Sequence, residues 1–103
     1  MLTIIETPNF QRMAIGVLNE VEREELAVFL SSQPLAGEVI PHAEGLRKVR
    51  WARSGMGKQG GARVIYFSRL AQGNLVLIAV YAKAKFDNMP VEVLKSWKEA
   101  YDG

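Results

Sequence analysis

The chain of 103 residues contains no cysteine and a single histidine, His42. Disulfides, thiolate metal sites and cysteine nucleophiles are thereby excluded, and so are a histidine pair for proton relay and a multi-histidine metal centre. Long apolar runs are also missing. The longest, Leu75 to Ala82, has the length of a strand and falls far short of the ~20 residues that cross a bilayer as a helix. The first residues, Met1-Leu2-Thr3-Ile4-Ile5-Glu6, lack the basic start and apolar stretch of a secretory signal, which predicts no export and a cytoplasmic protein. With 49% hydrophobic and 23% charged residues the composition is that of a globular protein, and the length suits one domain spanning residues 1–103.

One further absence is local. Residues 46–85 contain no acid at all, yet carry Arg47, Lys48, Arg50, Arg53, Lys58, Arg63, Arg69, Lys83 and Lys85, a charge of +9. The preceding 45 residues sum to −5 and the last 18 to −2, so the net +2 hides a strong segregation. Nine cations in forty residues repel one another unless an anion relieves them. A solvated basic surface is the plain reading. Because the segment is also the most β-patterned part of the chain, several of its charges should share one sheet, and a polyanion partner is favoured.

The pattern along the chain predicts an α+β fold in the order β-α-α-β-β-β-α, an antiparallel sheet with its helices on one face. Leu2–Glu6 reads as a strand stopped by Pro8, and Pro8–Val17 as a short helix burying Phe10, Met13, Ala14 and Val17. Asn19 with Glu22 forms a capping-box pattern for a helix to Ser32 that buries Leu26, Phe29 and Leu30. Pro34, Gly37 and Pro41 mark an irregular connection. Strands follow at Leu46–Arg53, Ala62–Leu70 and Leu75–Lys83. In the first, Val49 and Trp51 take one face and Lys48 and Arg50 the other. The link Ala71–Asn74 is of hairpin length, making the last two strands antiparallel neighbours. After Pro90, Leu94, Trp97 and Tyr101 repeat at helical spacing as a buried stripe.

Several candidate motifs fail on chemistry. Gly55-Met56-Gly57-Lys58-Gln59-Gly60-Gly61 looks like a phosphate loop, but no Ser or Thr follows Lys58 and a strand follows where a helix is required. It reads as a glycine-rich hairpin loop, with closure of its amides and Lys58 over a phosphate as the functional alternative. His42 lies in a loop away from the basic strands, and Asp87 is explained by capping the helix that starts near Pro90. The strand ends are more informative. A tight hairpin sets Arg63 beside Ala82-Lys83, and the preceding loop returns Arg50 to the same end, with Lys48, Lys58 and Lys85 nearby. Trp51, Tyr66, Phe67, Tyr81 and Phe86 are core candidates, of which Tyr81 and Phe86 lie close enough to Lys83 to stack on a base. Such a set suits RNA cleavage without a metal. The 2′-hydroxyl is the nucleophile, arginine forks suit the phosphorane, and a crowded lysine can carry a proton.

The runs Gly45-Leu46-Arg47-Lys48-Val49-Arg50-Trp51-Ala52, Gly57-Lys58-Gln59-Gly60-Gly61-Ala62-Arg63-Val64-Ile65-Tyr66-Phe67 and Ile78-Ala79-Val80-Tyr81-Ala82-Lys83 resemble the RelE/HigB superfamily of bacterial toxins, in its HigB-like branch. The resemblance implies the toxin of a type II toxin–antitoxin system. It would be a ribosome-dependent, metal- and cofactor-independent mRNA endoribonuclease that inhibits translation, held inactive by a cognate antitoxin, a helix-turn-helix protein of the adjacent gene. By position, Arg50 and Arg63 match residues that contact the scissile phosphate, Lys48 supports them, and Lys83 matches a basic residue at the end of the last strand. The expected catalytic set is Arg50, Arg63, Lys83 and Lys48. RNA contacts are expected from Lys58, Lys85, Arg47, Tyr81 and Phe86. Some members carry a catalytic tyrosine in the C-terminal segment, where this chain has Phe86. Two other readings stay open: a ParE-like inhibitor of DNA gyrase on the same fold, and a nucleic-acid-binding module without a reaction.

Overall fold

The computed structural model describes residues 2–51, 61–83 and 89–102. The glycine-rich loop with Lys58, and likewise Lys85, Phe86 and Asp87, lie outside the described residues. Strand β1 (Thr3–Glu6) leads into helix α1 (Pro8–Ala14), where Thr7 caps the helix by accepting from the Phe10 N–H. Helix α2 (Glu20–Ser32) opens with the expected capping box. The Asn19 side chain accepts from the Glu22 N–H, and the Glu22 carboxylate accepts from the Asn19 N–H. Strands β2 (Glu38–Val39), β3 (Arg47–Trp51), β4 (Ala62–Arg69) and β5 (Asn74–Ala82) follow, then helix α3 (Val91–Asp102). A 3₁₀ turn at Leu70–Gln72 and Gly73, at φ 72°, join β4 to β5.

The sheet order is β1-β5-β4-β3-β2, with every pair antiparallel except β1 and β5. β4 is therefore central, and its middle residues Val64 to Tyr66 are fully buried because both sheet faces are covered there. The α+β class holds, but the helices do not share one face. Alternation along β4 sends Val64 and Tyr66 into a core with Phe10, Leu26 and Leu30, from α1 and α2. Ile65 and Phe67 go to a second core with Leu94, against which Trp97 and Tyr101 pack from α3. A strand apolar on both faces needs cover on both, and α3 supplies the second layer. The two further departures from expectation are β2 and the parallel β1. A two-residue strand is too short to show a period, and partner choice is not encoded in a strand's own alternation.

The β4–β5 ladder breaks at one point. Ile65 pairs with Ala79 and Tyr66 with Leu77, leaving Ile78 as the extra residue of a bulge. Ile78 and Ala79 both belong to the second core, so the bulge resets the parity of β5. The carbonyls at the bulge are taken up by side chains at the junction of β1 and α1. The Thr7 hydroxyl donates to the Leu77 carbonyl at 2.9 Å, and the Asn9 amide donates to the Ile78 carbonyl at 2.9 Å.

Helix α3 is fastened at its C-terminal end. The Asp102 carboxylate accepts from Lys98 and from Arg69 of β4, and both cations lie 5.0 Å from the centre of the Phe67 ring. The Lys98 hydrogen bond, then that of Arg69, holds the Asp102 carboxyl below its ordinary value despite partial burial. A depressed folded-state value means stability that is present above the unfolded carboxyl value near ~4 and is lost as pH falls through the lower folded value. Urea titrations from pH 6 downward should therefore show Asp102→Asn to be less stable than the parent above pH ~4, the gap closing as the solution is acidified. A gap independent of pH would contradict this clamp.

Candidate phosphate-binding groove

On the face that carries α3, the end of the sheet beyond the helix is polar. Arg50 of β3 pairs directly with Arg63 of β4, and Arg63 pairs on its other side with Tyr81 of β5. Three residues thus form one row across three strands. The bulge sets this row: an uninterrupted ladder from Arg69–Asn74 would bring Val80 opposite Arg63 in place of Tyr81. Lys83 falls one pair further than the sequence suggests, its N–H donating to the Gly61 carbonyl at 3.1 Å, so it stands at the same end of the sheet, exposed. Lys48, two residues before Arg50, faces the same side in the next row. Arg50 is exposed, and Lys48 and Arg63 are half-buried.

Arg50 directly opposite Arg63 is a like-charge cross-strand pair, which destabilises a sheet unless an anion lies between. Among the described residues, neither Lys48 nor Arg50 has an ion pair, whereas Arg23, Arg69, Lys95 and Lys98 each meet a carboxylate. Lys48, Arg50 and Arg63 line one groove of about 380 Å³ together with Ala36, Gly37 and Glu38. A larger groove of about 550 Å³, lined by Glu6, Glu20, Arg23 and Glu24, carries the opposite charge. A polyanion is attracted to the first and repelled by the second. Among the described residues no group of three or more His, Asp or Glu is placed to hold a metal ion.

Two expected RNA contacts are placed elsewhere. Arg47 faces the side opposite to Lys48 and Arg50, and its guanidinium donates to the carbonyls of Leu35 and Gly37, at 3.3 and 2.6 Å. It fastens the connection before β3 in place and is not available in the groove. Tyr81 is only 3% exposed, with its ring in the second core, so it offers no face for a base to stack on. Burial raises the phenol above its ordinary value and the nearby Arg63 opposes that shift only in part, leaving a neutral hydroxyl in the row.

Glu38 escaped sequence analysis. It pairs with Lys48 across β2 and β3 and lines the groove. The fixing of its neighbour Gly37 is unusually complete. The Gly37 N–H donates to the Tyr66 hydroxyl at 2.9 Å, and its carbonyl receives Arg47. A Cβ at this position would lie 2.7 Å from the Lys48 carbonyl oxygen and 3.2 Å from the Tyr66 ring. Pro34, Gly37 and Pro41 signal only a connection; that the backbone passes this close to β3 is a long-range fact.

No family profile matches the chain. Among solved structures, a mutant of the E. coli toxin RelE in its free state superposes with a TM-score of 0.62 at 16% identity, covering 94% of this chain and 96% of that one. The fold is RelE-like. The likeness extends over nearly the whole length of both chains, so it includes the sheet on which the basic row is built. Among the described residues no helix is long and apolar enough to cross a membrane.

The contact at Gly37 yields a direct test. Gly37→Ala drives a methyl into a backbone oxygen that cannot swing aside, which should cost roughly 1–3 kcal/mol in urea unfolding. In the folded fraction, amide resonances of Arg47 and Lys48 should move while those of Leu94 to Lys98 stay in place. An unchanged midpoint and spectrum would show that the approach of Gly37 to β3 is looser than described.

Proposed function

We propose that this protein is the toxin of a type II toxin–antitoxin system, of the HigB-like branch, and that it cleaves mRNA on translating ribosomes. The observation that carries the reading is the direct pairing of Arg50 with Arg63 in a groove that also holds Lys48. Two arginines paired directly across neighbouring strands at the end of a sheet suit a phosphate held between them, and each can present a fork to two phosphate oxygens. The RelE-like fold and the +9 charge of residues 46–85 support the same conclusion.

The chemistry asks little of the protein beyond position and charge. The RNA 2′-hydroxyl attacks the adjacent phosphorus, the O5′ bond breaks, and a 2′,3′-cyclic phosphate and a 5′-hydroxyl are released. Arg63 and Arg50 stabilise the charge that develops on the phosphorane oxygens. Lys48 or Lys83 moves the proton between the attacking and leaving oxygens. Lys58 and Lys85 contact the RNA backbone. A cognate antitoxin, a helix-turn-helix protein of the adjacent gene, covers the basic groove or the helices beside it and holds the toxin inactive in the cytoplasm.

Arg63→Ala should relieve growth arrest and lower mRNA cleavage in a reconstituted translation reaction by roughly 10²–10³-fold. Ribosome binding should fall much less, because the remaining cations still hold the RNA. Arg63→Lys should recover little, since an ammonium cannot reproduce the fork. Arrest at full strength in Arg63→Ala, with transcripts intact in parent and variant, would reject the nuclease. DNA damage in that case would favour the ParE-like gyrase reading, and arrest without either lesion would favour simple nucleic-acid binding.

A further inference from the structure

The groove contains one carboxylate among its cations, and nothing in the proposed reaction uses it. Glu38 stands directly opposite Lys48, yet the two form no ion pair, and Glu38 makes no side-chain hydrogen bond among the described residues. It is exposed, and it is preceded by the most tightly fixed backbone near the groove, Gly37. An acid placed in a phosphate-binding groove weakens the attraction for the backbone of a nucleic acid. Its presence there calls for a ligand group that donates hydrogen bonds.

The register says which part of the strand that group belongs to. Glu38 lies in the row of Lys48, two residues along β3 from Arg50, and its strand is two strands away from β4. With ~3.4 Å per residue and ~4.8 Å per strand, its backbone stands ~12 Å from that of Arg63. A side chain at that distance reaches a nucleotide beside the reacting one and not the reacting atoms themselves. A neighbouring nucleotide offers a single donor on its ribose, the 2′-hydroxyl, and only its base can offer two donors side by side. A carboxylate has two acceptor oxygens and no donor. The Watson–Crick edge of guanine presents two adjacent donors, N1–H and the exocyclic amino group. Adenine and cytosine set one donor beside a ring acceptor, and uracil sets one donor between two carbonyls. Single-stranded RNA is read on this edge.

We propose that Glu38 is a specificity-determining residue that accepts both donors of a guanine next to the phosphate held by Arg50 and Arg63. The proposal rests on the RNA reading above. Lys48, on the strand between β2 and β4, stands between this carboxylate and Arg63. The fixed Gly37 gives the carboxylate a defined place from which to select.

Two measurements decide it. In reconstituted translation, fragment ends produced by the parent should be enriched for guanine at one position beside the cut. In Glu38→Gln and Glu38→Ala, cutting at those sites should fall roughly tenfold relative to other sites, the size of one bidentate base contact. Loss of cutting at every site alike, as in Arg63→Ala, or an unchanged site profile, would overturn the proposal. The second measurement needs no cleavage. Fluorescence anisotropy with an oligoadenylate hexamer carrying one guanosine, against the same hexamer carrying inosine, removes only the exocyclic amino group. The parent should bind the guanosine form several-fold more tightly and Glu38→Ala should bind both alike. Equal binding by the parent, or a preference that survives in Glu38→Ala, would refute base reading. A parent that discriminates guanosine but cuts no RNA would leave Glu38 as proposed and dismiss the nuclease instead.

Discussion

The pairing of β4 with both of its neighbours is the constraint on which the rest of this structure depends. Ala62–Arg69 supplies residues to both cores, and its first polar position, Arg63, is flanked by Arg50 on one side and Tyr81 on the other. Because side chains alternate strictly along a strand, burying Val64 and Tyr66 under α1 and α2 commits Arg63, Ile65 and Phe67 to the opposite face. Helix α3 covers the last two. Arg63, half-buried, belongs to neither core and is left at the polar end. The basic row is thus a consequence of how a central strand divides its residues between two cores.

That arrangement has a cost which the surroundings distribute. Like charges placed opposite one another oppose strand pairing, and the strongly apolar interior of β4 and β5 offsets the repulsion, with Leu75 to Val80 almost wholly buried. The bulge at Ile78 adds a further irregularity at the centre of the sheet. It is tolerated because Thr7 and Asn9, where β1 gives way to α1, supply hydrogen bonds to the Leu77 and Ile78 carbonyls. The junction of β1 and α1, remote from the groove in sequence, thereby helps to keep Tyr81 and not Val80 beside Arg63.

Charge is segregated in space as it is along the chain. The acids of α2 stand around a groove beside β1, and the cations of β3 and β4 around another on the opposite side of the sheet. Among the described residues, four cations outside the basic groove meet carboxylates and serve structure: Arg23 with Glu6, Arg69 and Lys98 with Asp102, Lys95 with Glu44. Arg47 belongs with these, although its position within the basic segment suggested a ligand contact. What separates Arg47 from Lys48 is the parity of one residue, which turns its guanidinium to the carbonyls of Leu35 and Gly37.

The sequence by itself determined the local elements and the pairings between near neighbours. Asn19 and Glu22 start α2, the alternation of Val49 and Trp51 with Lys48 and Arg50 divides β3, and the short link after Leu70 makes β4 and β5 antiparallel; each is a property of adjacent or nearby residues. The meeting of Arg50 and Arg63 was legible for the same reason, since the β3–β4 hairpin fixes it. Only the tertiary structure decided the side on which α3 packs, the parallel pairing of β1, the bulge and the role of Glu38. The first two depend on which apolar faces remain uncovered once the sheet has formed. The bulge depends on hydrogen bonds from residues about seventy positions away. Glu38 enters the groove because Gly37 lacks a side chain and lets the backbone close on the Lys48 carbonyl, a contact between segments that carries no mark in either one.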